Sequence, residues 1–233
     1  MKPKLCSSQR GKASLLDLIV MLIAVVIVVG VLVLPTIAKR NARSSKIGCV
    51  NNVKQIGLSI RMWSDDNGGR SPSQVPANEG GAKEDVERGV ASRYFQVMSN
   101  ELGTPKIVVC PEDIGRKAAT DFATLTRSNL SYFVVPEAVW SITNLWLSGD
   151  RNLATNKVAL KPGLFSMLAN PSLNWTAELH DRKGYLCFAD GHVATSDGIG
   201  KLPYTVRLSQ SATNALRAYY DATANVTFRL LIP

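Results

Sequence analysis

The chain has 233 residues, 45% hydrophobic and 19% charged, which excludes wholesale disorder, a collagen-like repeat and a disulfide-dense miniprotein. Its net charge of +9 is unevenly spread. Residues 1–46 hold Lys2, Lys4, Arg10, Lys12, Lys39, Arg40, Arg43 and Lys46 against one acid, Asp17, and the rest of the chain is nearly balanced. The excess flanks one segment and forms no domain-wide patch, which argues against a nucleic-acid partner.

That segment runs from Leu18 to Ala38, 21 residues without a charge, 16 of them Val, Ile, Leu or Met. At about 1.5 Å per residue it reaches about 32 Å as a helix, the thickness of a bilayer core. A cleaved secretory signal would have a shorter apolar region of about 7–15 residues ending in a small-x-small site. A buried soluble helix would be less uniformly aliphatic. The expectation is a retained membrane helix with lipid around it. Four basic residues in the first twelve favour a cytoplasmic N-terminus, although the basic residues beyond the span nearly balance them.

Beyond Pro35 the pattern changes period. Ile47, Val50, Val53, Ile56, Ile60 and Trp63 recur at steps of three or four, with Asn51, Asn52, Lys54, Ser59, Arg61 and Ser64 between them. The stripe halts at Asp65-Asp66-Asn67-Gly68-Gly69, a helix stop. This predicts one helix of about fifty residues, from near Ser14 to near Asp66. Residues 70–83 read as loop, and Glu84–Leu102 as a second helix. Lys106–Cys110, Leu130–Val135 and Thr176–His180 are strand candidates. Tyr185–Ala189 and His192–Thr195 form a hairpin around Asp190-Gly191, with a tight turn in which both residues are left-handed. Ser211–Asp221 reads as helical and Val226–Ile232 as a closing strand.

The resulting fold class is α+β: a long N-terminal helix, half transmembrane and half amphipathic, packed on a small antiparallel sheet. The chain divides into a basic leader (1–13), a transmembrane helix (14–38), its amphipathic continuation (39–68) and a globular domain (69–233). Cys49, Cys110 and Cys187 lie beyond the span, which permits one disulfide with one cysteine left over. Cys49 lies on the amphipathic helix and Cys110 closes a strand expected to pack nearby, so Cys49–Cys110 is the expected pair.

This architecture resembles type IV pilins and type II secretion pseudopilins, and the resemblance extends to motifs. Residues 13–20, ASLLDLIV, resemble the start of the mature region in that family, where a prepilin peptidase cleaves and N-methylates. CVNNVKQIGL at 49–58 with DDNGG at 65–69 is similar to a run in pseudopilin-like proteins of planctomycetes and verrucomicrobia. Cys110-Pro111-Glu112-Asp113 resembles their CPxD segment. His180 and Asp190-Gly191, with nine residues between them, fit their H-x9-DG signature. The resemblance implies a single-pass inner-membrane protein with a cytoplasmic N-terminus and a periplasmic domain. It also implies a non-enzymatic role in a secretion or pilus-like filament, with homo- or hetero-oligomeric pseudopilin subunits as partners.

The processing region departs from the family. Lys12 stands where Gly precedes the cut, with Gly11 one residue too early. Ala13 replaces the aromatic residue, and Asp17 the usual Glu, the acid that pairs with a neighbouring subunit's amine. Cleavage by a prepilin peptidase is therefore expected to be poor.

No cofactor is expected, and two sets of residues offer metal ligands. His180, Asp190 and His192 form a common ligand combination, but Asp190 is a turn residue and His180 can hydrogen-bond across the hairpin. Asp65, Asp66 and Asn67 offer oxygens to calcium, yet no twelve-residue loop surrounds them, and helix capping is their expected task. No nucleophile elbow, phosphate loop or Walker motif is visible. The alternative function is a membrane-tethered exported domain that binds a ligand or metal near His180, or hydrolyses a substrate there, without entering a filament.

Overall fold

The computed structural model describes residues 15–136, 145–155, 158–168, 173–195, 205–206 and 227–233. The basic leader with Gly11, Lys12 and Ala13, and the expected helix at Ser211–Asp221, lie outside the described residues.

The first element is a helix of 52 residues, α1 (Leu15–Asp66). Contacts divide the chain within it, into Met1–Ser44 and Ser45–Pro233. In the first unit, Leu15–Leu34 is long and apolar enough to cross a membrane, and its large side chains stand exposed from Leu15 to Leu34. Asp17 sits in its first turn.

In the second unit the stripe read from the sequence enters the core. Cys49, Val53, Ile56, Ile60 and Trp63 are buried, although Ile47 at the N-terminal end of the stripe is exposed. The polar positions do not all face solvent. Asn51, Lys54 and Arg61 do, but Ser59 and Ser64 are buried. The Ser59 hydroxyl donates to the Glu101 carbonyl (3.1 Å) and the Asn52 amide to the Val109 carbonyl (2.9 Å). Small polar side chains let a second layer of backbone approach the helix, which a hydrophobicity pattern does not register.

The stop signal works as its chemistry requires. Gly68 and Gly69 both take positive φ (68° and 80°), and the Gly69 N–H bonds back to the Ser64 carbonyl at 2.8 Å. The Asn67 amide donates to the Trp63 carbonyl at 2.8 Å, so Asn67 caps the helix.

Glu84–Leu102 is three short helices, α2 (Lys83–Glu87), α3 (Ala91–Val97) and α4 (Ser99–Leu102). The break lies at Gly89 (φ 77°) and Val90, which is extended. Lys106–Cys110 is no strand: Pro105–Val108 is a 3-10 turn, with proline in its first turn and the Thr104 side chain accepting from the Lys106 N–H.

Among the described residues all strand pairs are antiparallel. Six strands form one sheet: β1 (Tyr132–Val134), β2 (Trp146–Asp150), β5 (Gly163–Leu168), β7 (Tyr185–Phe188), β8 (Val193–Thr195) and β10 (Thr227–Ile232). Their order is β5-β10-β1-β2-β7-β8. A smaller sheet has the order β4-β3-β6-β9, from β3 (Leu153–Thr155), β4 (Val158–Ala159), β6 (Leu173–Trp175) and β9 (Thr205–Val206). The α+β class and the antiparallel pairing agree with the sequence reading, while the single small sheet becomes two.

The strand expected at Thr176–His180 lies earlier, in β6, and the segment after β6 is a turn. The β7–β8 hairpin is present, with Cys187 opposite Val193. Its turn has three residues. Phe188 N–H bonds the His192 carbonyl (3.0 Å), Gly191 N–H bonds the Phe188 carbonyl (2.9 Å), and only Gly191 is left-handed (φ 85°). This is a type I turn closed by a glycine bulge, which fits the strand twist as well as a two-residue turn does.

Helix α1 meets the large sheet at Gly57. A Cβ there would collide with the Cys187 sulfur on β7 and would touch Leu147 on β2 at 3.9 Å. We predict that Gly57→Ala destabilises the domain by about 1–3 kcal/mol, the cost of overpacking a core. Thermal unfolding of Gly57→Ala, Cys187→Ala and the double variant tests this. The double variant should recover most of the loss, because removing the sulfur opens the space. Strict additivity would show that the contact is not the cause.

Candidate functional site

The residues singled out from separate stretches of sequence converge around His180. The turn that carries His180 comes after β6, and three consecutive non-glycine residues in it, His180, Asp181 and Arg182, have positive φ (51°, 50° and 63°). Each costs on the order of 1–2 kcal/mol in an L-residue and persists only where its surroundings dictate it. Asn152, after β2, supplies the constraint. Its side-chain amide lies within reach of the carbonyls of Thr176 (3.0 Å), Leu179 (3.1 Å) and Lys183 (3.3 Å), gathering the turn around one buried group.

The strained turn holds the His180 ring almost fully out of solvent, its side chain 3% exposed. Nδ1 lies 2.7 Å from Glu112 Oε2, and Nε2 lies 3.4 Å from both Asp150 Oδ2 and Cys110 Sγ. Tyr185 packs its ring against the imidazole edge-on (centroids 4.9 Å apart), and its N–H donates to Asp150 Oδ2 at 2.7 Å. Asp150 is wholly buried, and among the described residues its Oδ1 accepts no hydrogen bond. Burial lowers the imidazole's pKa, but the Asp150 and Glu112 carboxylates outweigh it and hold His180 above its ordinary value. Burial pushes Asp150 up despite the imidazole beside it.

Cys49 and Cys110 form a disulfide, with Cα atoms 5.1 Å apart and the two residues essentially unexposed. This is the pair expected from the sequence. Cys187 is free and buried, and burial pushes its thiol up to about 12, which makes it inert.

The CPxD segment serves two neighbouring clusters. Glu112 faces His180. Asp113 turns to a second cluster, where it accepts two hydrogen bonds from Arg151 (2.9 and 3.1 Å) and one from the Ser131 hydroxyl (2.8 Å). Arg151 also bonds Glu178 at 2.6 Å, and Arg116 stands 3.8 Å from Asp113 while donating to the carbonyls of Arg127 and Leu130. Burial raises the pKa of Asp113, but Arg151 and Ser131 overcome it, and the carboxyl lies below its ordinary value. Burial, helped by the neighbouring Arg151, pushes Arg116 down to about 10.

The other half of the H-x9-DG signature stays apart from this site. Asp190 and His192 pair with each other on the hairpin turn, His192 Nδ1 2.5 Å from Asp190 Oδ1, and His192 stacks on Phe188. His180, Asp190 and His192 therefore do not form the metal set that the sequence offers, because turn and histidine satisfy one another locally. Among the described residues, the group whose potential ligand atoms all lie within 4.8 Å of one another is Cys49, Cys110 and His180. Asp150, Asn152 and Arg151 are not among the residues that the sequence singles out, although a carboxylate closing the otherwise uncharged strand WLSGD is a legible signal.

Compared with protein-family models, curated proteins and solved structures, the chain matches none.

Proposed function

We propose that the chain is a non-enzymatic, pseudopilin-like membrane subunit, anchored by Leu15–Leu34 and assembled side by side with like subunits through α1. The observation that carries this reading is α1 itself. One unbroken helix has an apolar, exposed first part and a last part that contributes Cys49, Val53, Ile56, Ile60 and Trp63 to a folded core. An exposed helix of that length and composition needs lipid or other helices around it. The convergence of Cys49, Cys110, Glu112 and His180 adds support, since these residues belong to the motifs that carry the pseudopilin resemblance. Their arrangement is that of a structural clasp: a disulfide, a buried ion pair and a pinned turn leave His180 little access to a substrate. That weighs against the hydrolase alternative.

The proposed topology is tested with an impermeant maleimide on spheroplasts. Native Cys187 is buried and should stay silent, so the exported reporter is Ile114→Cys, at a position 98% exposed. Ile114→Cys should label in intact spheroplasts and Cys6 only after lysis. The reverse pattern would overturn the orientation.

A further inference from the structure

We infer that Cys49, Cys110 and His180, with Asp150 as fourth ligand, form a zinc site when the disulfide is reduced, so that this clasp has two alternative closures. The atoms of Cys49, Cys110 and His180 already stand near the required spacing, and the Asp150 carboxylate, beside His180 but outside that cluster, moves toward the sulfurs to complete it. Zinc binds thiolate sulfur at about 2.3 Å and imidazole nitrogen at about 2.0 Å, which places ligand atoms of a tetrahedron about 3.3–3.8 Å apart. His180 Nε2 is 3.4 Å from Cys110 Sγ and 3.4 Å from Asp150 Oδ2, and the two sulfurs and Nε2 lie within 4.8 Å of one another. Once the S–S bond is broken, the sulfurs need only part to about 3.8 Å, which side-chain rotation supplies.

The surroundings are those of a metal centre as much as of a disulfide. His180 presents Nε2 to the sulfurs while Nδ1 faces the Glu112 carboxylate at 2.7 Å, the arrangement that fixes the tautomer of a metal-bound histidine. Asp150 is fully buried and has an oxygen, Oδ1, without a hydrogen-bond donor among the described residues. A buried carboxylate left short of donors is costly in an all-protein site and natural beside a cation. Two thiolates with one imidazole and one carboxylate suit zinc, whereas calcium and magnesium prefer oxygen alone. Disulfide and zinc exclude each other, since both use the same two sulfurs. The zinc form belongs to a reducing compartment and the disulfide to an oxidising one.

In the conversion, a phosphine reductant gives two electrons to the S–S bond and becomes phosphine oxide with the oxygen of a water molecule, whose two protons complete the Cys49 and Cys110 thiols. The metal then displaces both thiol protons to buffer.

The test uses the full chain in detergent micelles, reduced by a phosphine, with cobalt(II) as the spectroscopic probe and zinc as competitor. The reduced wild type should take up one equivalent, with a thiolate-to-cobalt charge-transfer band and the intense visible bands of a tetrahedral site, and zinc should abolish both. The oxidised wild type and reduced Cys110→Ser should show neither. Glu112→Gln, which keeps all four ligands, should bind about 10–100-fold more weakly. Zinc should also raise the melting temperature of the reduced wild type, since it binds the folded state. No charge-transfer band in the reduced wild type would overturn the inference. So would a band that survives in Cys110→Ser, or a reduced chain that unfolds and is not restored by zinc.

Discussion

Replacing Cys49 and Cys110 together by alanine is expected to lower the stability of the Ser45–Pro233 unit by about 4 kcal/mol. The bridge joins positions 61 residues apart, and the chain-entropy model gives about that value for a closed loop of this length. For a domain of this size, about 4 kcal/mol corresponds to a fall in melting temperature on the order of 10 °C. The bridge also fixes Cys110 against His180, so its loss loosens the turn that the three left-handed residues occupy. Thermal unfolding of the oxidised wild type and the double variant, monitored by circular dichroism, measures the difference. A change of less than about 1 kcal/mol would show that the bridge constrains little.

The second large effect is expected at Arg151. Its side chain is 12% exposed and that of Asp113 only 3%, so Arg151→Met leaves a buried carboxylate without its main partner. Breaking a buried pair from one side costs about 3–5 kcal/mol, and the lower end applies here because Arg116 remains 3.8 Å away. The effect depends on pH with a definite sign. Asp113 is held below its ordinary value in the folded state, so its contribution is fully present above an unfolded pKa of about 3.9 and is lost as pH falls through the folded value. Wild type and Arg151→Met should therefore differ most above about pH 5 and converge on acidification. Denaturant unfolding across pH measures this, and a difference that stays constant to low pH would mean that the lost contact is packing rather than charge.

Periodic and local interactions are the ones legible in the sequence. The long helix, its apolar first part and its buried stripe all repeat at helical spacing, and the stop at Asn67-Gly68-Gly69 depends on adjacent residues. The hairpin is visible because Asp190-Gly191 interrupts two alternating runs, but its turn type depends on backbone hydrogen bonds that two letters do not specify. Gly89 divides a helix that the apolar pattern joins, because the period of Tyr94 and its neighbours says nothing about chain direction across a left-handed residue. The site is legible only in part. Cys49, Cys110 and His180 can be picked out singly, but Asp150 and Asn152 act on residues about thirty positions away in the chain. His192 is no partner of His180, because Asp190, its near neighbour in sequence, satisfies it first.

The central claim, a membrane subunit that associates through α1, is tested most directly by a cysteine scan of Leu15–Leu34 in native membranes, with Cys6 replaced by serine. Each variant is oxidised and the disulfide-linked dimers are quantified. Side-by-side packing predicts strong cross-links that recur every three to four residues along one face of the helix. Absence of cross-links along the segment, or a uniform low level without helical period, would contradict it.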